Sequence, residues 1–109
     1  MKKSAIRFEI ELDENNVPDT IRWDASDKPD PGLSTTKAIS VALWDDTQKN
    51  TLRIDLWTKD MPVDEMKRFY IDSIGGLAQS LLQSTGDEAM AAEINAVCER
   101  LVRMVKASS

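Results

Sequence analysis

The sequence predicts an α+β fold: a four-stranded antiparallel meander sheet followed by an antiparallel two-helix hairpin, in the order ββββαα. Three observations lead there. Apolar residues alternate with period two through short segments of the first half. They recur at the three-and-four spacing of a helix through two long segments of the second half. Short polar connections separate the segments, and a run of strands followed by a run of helices favours an antiparallel sheet with helices on one face. With 109 residues, 41% hydrophobic and 30% charged, the chain suits one domain spanning 1–109, of a size that buries about two-thirds of its unfolded surface.

The first strand covers about 4–12, with Ile6, Phe8, Ile10 and Leu12 on one face and Arg7, Glu9 and Glu11 on the other. Asp13 to Asn16 form a turn cluster. A second strand at about 17–24 then pairs Leu12 with Val17, Phe8 with Ile21 and Ile6 with Trp23. Pro18 has no N–H for a ladder, which places this strand at an edge or starts it after residue 18. "DASDKPDPGL", residues 24–33, fits no periodicity and is the main loop.

The third strand, at about 36–44, rests on the alternation of Ile39, Val41 and Leu43, because its alanines also tolerate a helix. The fourth, at about 51–58, decides for a hairpin. With Asp45 to Asn50 as the loop, Leu43 faces Leu52, Val41 faces Ile54 and Ile39 faces Leu56, so three apolar pairs share one face. On the reverse face Trp44, Ala42, Ser40 and Ala38 lie across from Thr51, Arg53, Asp55 and Trp57.

The first helix, at about 62–84, has Pro62 in its first turn, where a missing N–H costs nothing, and Asp60, Asp64 and Glu65 near its positive end. Its apolar stripe is Val63, Met66, Tyr70, Ile74, Leu77 and Leu81. Gly75 and Gly76 each cost about 1 kcal/mol relative to alanine there, which points to close approach of the second helix or to a bend. Gly86 ends the helix, and Thr85 or Asp87 caps the next, with Thr85 and Glu88 at capping-box spacing. The second helix, at about 87–106, carries Met90, Ile94, Val97, Leu101 and Met104, with Cys98 and Val105 beside them. A first helix of about 33 Å overhangs strands of about 26 Å, leaving apolar surface for another chain.

The net charge of -5 opposes phosphate backbones and anionic membranes. Arg100, Arg103 and Lys106, the densest basic group, oppose the negative end of the second helix. A single cysteine allows no intramolecular disulfide and suits a reducing compartment. The N-terminus lacks the apolar run of a signal peptide and no segment has the length of a membrane span, so a cytoplasmic protein is expected.

Candidate chemistry is sparse. There is no histidine, hence neither the usual general base nor the commonest transition-metal ligand. Cys98 sits mid-helix beside an apolar stripe with no base nearby and reads as a core thiol. Asp24, Asp27 and Asp30, like Asp45 and Asp46, lack the spacing of a calcium loop and read as solvated loop acids. No catalytic residue, cofactor or metal is expected. Trp23 shares a face with Phe8 and Ile21 and reads as core. Trp44 and Trp57 are either covered within the chain or used at an interface, which makes Trp44, Arg53, Asp55 and Trp57 the candidate interaction face.

"MKKSAIRFEIELDENNVPDTIRWDA", "ALWDD", "TLRIDLWTKDMPVDEMKRFY" and "STGDEAMA" together resemble the gliding-motility-associated GldC family of Bacteroidota and related bacteria. The resemblance covers nearly the whole chain, and "LRIDLWTKDMPVDEM" is its most specific part. It implies a small soluble cytoplasmic protein associated with surface gliding, with no known catalytic activity and no established site residues to carry over. Two readings follow: a non-enzymatic accessory or adaptor protein working through protein–protein contacts, or a small-molecule-binding or enzymatic domain with a cleft between helices and sheet. A homodimer is an additional expectation, because a sheet has two edges to protect.

Overall fold

A computed structural model describes residues 1–108, and the chain divides into two compact units, Met1–Met61 and Pro62–Ser109. The first unit holds five strands: β1 (Ile6–Leu12), β2 (Pro18–Ala25), β3 (Ser34–Thr36), β4 (Ala38–Asp45) and β5 (Asn50–Trp57). The α+β class and the antiparallel pairing hold. The single four-stranded meander does not: β1-β2-β3 form one sheet and β4-β5 a second.

The expected third strand is broken by hydrogen bonds that local sequence does not encode. Ser34 to Thr36 pair with Trp23 to Ile21. The chain then bends at Lys37, and β4 pairs along its whole length with β5. Two bonds hold the break. Thr58 donates its N–H to the Lys37 carbonyl at 2.8 Å, and Lys59 donates to the Pro18 carbonyl at 3.0 Å. The end of β2 that a continuous third strand would have met is therefore met by the residues just past β5.

The β1–β2 register also differs from expectation. Phe8 lies opposite Trp23 and Ile10 opposite Ile21, and Leu12 meets Pro18 across an irregularity after Glu11. The turn takes in Val17, and the irregularity leaves Asp19 without a partner across the ladder. Together they slip β2 by two residues, and a slip of two preserves the faces because side chains alternate with period two. The turn is stabilised from within: Asn16 adopts φ 62, the Asp13 N–H donates to the Val17 carbonyl at 2.9 Å, and the Asp13 carboxylate accepts from the amides of Asn15 and Val17 at 2.8 and 3.0 Å.

Pro18 opens β2 without putting it at an edge, since β2 is the central strand of its sheet. This is tolerated because β3 reaches only Ile21 to Trp23, so no ladder bond is asked of residue 18. The centre of the unit is Ile21, which is fully buried. Trp23 is half-buried, with the Lys28 ammonium 5.1 Å from its ring centroid.

The β4–β5 register is the expected one: Leu43 faces Leu52, Val41 faces Ile54 and Ile39 faces Leu56. Its loop is shorter than predicted, because Asp45 still pairs with Asn50 and Lys49, at φ 57, donates to the Asp45 carbonyl at 2.9 Å.

The second unit is a helix hairpin of α1 (Val63–Thr85) and α2 (Glu88–Ser108). Pro62 precedes α1 in an extended conformation, and its carbonyl accepts the Met66 N–H at 2.9 Å. Gly86 ends α1 at φ 73 and donates to the Leu82 carbonyl; the left-handed conformation is one that glycine adopts without a Cβ penalty. Asp87, not Thr85, caps α2, with Oδ1 accepting the Met90 N–H at 2.9 Å. Thr85 closes α1 and accepts the Asp87 N–H on its hydroxyl. Close approach accounts for neither glycine: a Cβ added at Gly75 would meet Cys98 Sγ at 3.9 Å, an ordinary contact distance, and one added at Gly76 would have no heavy atom within 4 Å. Among the described residues no helix is long and apolar enough to cross a membrane.

Candidate functional site

The β4–β5 ribbon brings Trp44, Arg53, Asp55 and Trp57 to one face. In an antiparallel pair, alternate residues of each strand and their direct cross-strand partners share a side. Trp44 pairs with Thr51, Ala42 with Arg53, Ser40 with Asp55 and Ala38 with Trp57. The tryptophans stand at opposite ends of this face, about 20 Å apart at the rise of an extended strand.

Between them lies a closed polar cluster. Arg53 donates to Asp55 through Nε and a terminal nitrogen at 3.2 and 2.9 Å, and to the Ser40 hydroxyl at 2.7 Å. Ser40 in turn donates to Asp55 Oδ1 at 2.6 Å. The Arg53 guanidinium first, and then the Ser40 hydroxyl, hold the Asp55 carboxyl below its ordinary value of 3.8. Asp55 is therefore ionised at neutral pH and serves to fix the guanidinium, not to move protons.

The tryptophans remain open to solvent, Trp44 at 65% and Trp57 at 50% of its surface. The opposite face of the ribbon is also only partly covered, with Leu43, Leu52 and Ile54 each about half exposed. A two-stranded ribbon with large residues bare on both sides is marginal as an isolated structure, and exposed aromatic residues beside a fixed arginine are what protein interfaces enrich.

A groove beside Trp57 belongs to the same region and was not anticipated. Its volume is about 270 Å³, and Val17, Pro18, Leu56, Trp57 and Lys59 form its walls. Lys59 closes it by pairing with Asp13 at 3.2 Å and Asp19 at 3.6 Å. Asp13 and then Asp19 raise the Lys59 ammonium above its ordinary 10.5. The amides of Val17 and then Asn15, helped by Lys59, lower Asp13. A sequence signal was faint: Asp13 and Lys59 are 46 positions apart, and only the unpredicted Lys59–Pro18 contact brings them together.

The ribbon is tied down where β5 ends. Thr58 is 3% exposed and donates its hydroxyl to Asp60 Oδ1 at 2.7 Å, while Lys37 pairs with Asp60 at 2.8 Å. Lys37 first, and then Thr58, lower the Asp60 carboxyl.

Cys98 is half-buried on α2, its Sγ 3.9 Å from the Ile71 carbonyl. Among the described residues no cluster of three or more metal-ligating side chains occurs.

Residues 18–107 match the family model described as gliding motility-associated protein GldC-like. No curated protein and no solved structure matches the chain.

Proposed function

The chain belongs to the GldC-like family of gliding motility-associated proteins, and on that premise we propose that it is a non-enzymatic accessory or adaptor protein. It acts in the cytoplasm by binding a protein of the gliding machinery through the Trp44–Trp57 face of β4 and β5. The observation that carries this reading is the pairing of two solvent-open indoles with a prefixed Arg53–Asp55–Ser40 cluster. Indole and guanidinium groups dominate interface energies because they desolvate large surface at little conformational cost, and the internal hydrogen bonds of the cluster reduce what remains to be ordered on binding.

The family association with gliding names the cellular setting, and the hairpin face supplies the contact. At the Trp57 face a small-molecule role has less support, since the groove there, about 270 Å³, is smaller than the roughly 300–1,000 Å³ of most ligand pockets.

The test is affinity capture at endogenous expression in the native organism, comparing the wild type with Trp57→Ala and Trp44→Ala variants shown by circular dichroism to be folded. Loss of a specific partner from both variants supports the face. Retention of every partner by both folded variants sinks it.

A further inference from the structure

Among the described residues, six of the eight large apolar side chains left bare on the helices recur at every seventh position, Val63, Tyr70 and Leu77 on α1 and Met90, Val97 and Met104 on α2, with Leu82 and Val102 outside the series. A seven-residue repeat is the 3.5-residue period of helices packed lengthwise against further helices. The contact within the hairpin uses the neighbouring positions. Cys98 lies against Ile71 and the backbone of Gly75, and Ala78 and Ala91 are buried. Residues 71, 78, 91 and 98 each follow one of the bare residues directly, so the bare series sits about 100° around each helix from the contact. Both series open on one side, because Tyr70 and Met104 line a single groove of about 450 Å³ with Lys67, Ile71, Leu101 and Val105.

We propose that this face of the helix hairpin is a self-association surface, on which a second copy of the chain docks end over end to complete a four-helix bundle. Charge and spacing select a second copy as the occupant. Met90 and Met104 are each seven residues from Val97, so reversing α2 about Val97 sets Met90 against Met104 of the second copy and Ile94 within a residue of its Leu101. Glu93 and Arg100 flank the outer side of this seam, three residues after Met90 and Val97 respectively. The reversal brings Glu93 to within one residue of Arg100 of the other copy, twice by symmetry, whereas a parallel arrangement brings like charges to one level.

Among the described residues neither Glu93 nor Arg100 has an ion-pair partner within the chain. The same two-fold axis serves α1. Gly75 lies beside Cys98, the residue after Val97, and reversing α1 about Ile74 brings Tyr70 to within a residue of Leu77 of the second copy. This surface is built from other residues than the Trp44–Trp57 face, so either assignment can fail alone.

The test is sedimentation equilibrium of the full chain over a range of concentrations, with circular dichroism to confirm folding. The wild type is expected to be a dimer. Arg100→Glu replaces two attractions with two repulsions and is expected to weaken dimerisation by about tenfold or more, and the double variant Glu93→Arg with Arg100→Glu restores it. Trp57→Ala leaves it unchanged. A monomeric wild type at high concentration overturns the proposal. So does a folded Arg100→Glu variant that dimerises normally, a double variant no better than the single one, or loss of the dimer on Trp57→Ala.

Discussion

β2 and β5 are strands of equal length with similar alternation, and they end in opposite conditions. Of the eight residues of β2 only Asp19 is exposed, whereas six of the eight in β5 are exposed. Ile21 on β2 is fully buried and Ile54 on β5 is about half bare. The difference lies in neighbours, since β2 has a strand on each side and β5 has only β4. Alternation therefore specifies register and face, while burial is set by what the rest of the chain lays against that face. A strand whose register is fixed but whose surface is left open has that surface available to another molecule.

The largest expected effect breaks or confirms this contrast directly. Ile21→Ala, which empties a fully buried site, is expected to cost about 2–5 kcal/mol. The same truncation at half-exposed Ile54 is expected to cost about 1 kcal/mol or less. Urea denaturation of the two variants measures both, and equal losses would mean that the ribbon is as well packed as the sheet.

Next in size is Thr58→Val. The buried Thr58 hydroxyl donates to Asp60, and its removal is expected to cost about 1 kcal/mol by loosening the point where the ribbon is anchored. A midpoint unchanged in denaturation would show that the backbone bond from Thr58 to Lys37 suffices.

Smaller again is the response to acid. Asp13, Asp55 and Asp60 all have folded-state values depressed below the ordinary 3.8. Their contributions are present in full above that value and are lost as pH falls through the folded-state values. Asn replacement of any one is expected to reduce the acid-side decline in the denaturation midpoint. The opposite sign holds for Lys59, whose raised value gives a contribution present below 10.5 and lost as pH rises through the folded-state value. Asp55→Asn is expected to have little effect on stability at neutral pH, since the group is well solvated, and to act mainly on partner binding.

Smallest for stability, but sharpest for the contrast, is tryptophan accessibility. In variants retaining one tryptophan, acrylamide is expected to quench Trp44 and Trp57 strongly and Trp23 weakly. Strong quenching of Trp23 would remove the distinction between the two sheets.

Much of the ribbon was legible in the sequence because its pairing is local. Leu43, Val41 and Ile39 find Leu52, Ile54 and Leu56 across a short loop, and period-two alternation then places Trp44, Arg53, Asp55 and Trp57 together. The helix ends were legible for the same reason, with Gly86 and Asp87 acting within one turn. The break at Lys37 was not, because it depends on Thr58 and Lys59 reaching back across the unit. The two-residue slip of β2 came from Asn16 in a left-handed conformation and an irregularity after Glu11, neither of which alternation reports. The groove beside Trp57 follows from both and was invisible for both reasons.

The most direct test of the claim that the ribbon keeps its open face for a partner is hydrogen–deuterium exchange on the purified complex with whichever protein the Trp57 comparison identifies. The account predicts that binding slows exchange across residues 38–57 and leaves 6–25 as in the free protein. Slowed exchange confined to 6–25, with 38–57 unchanged, would contradict it.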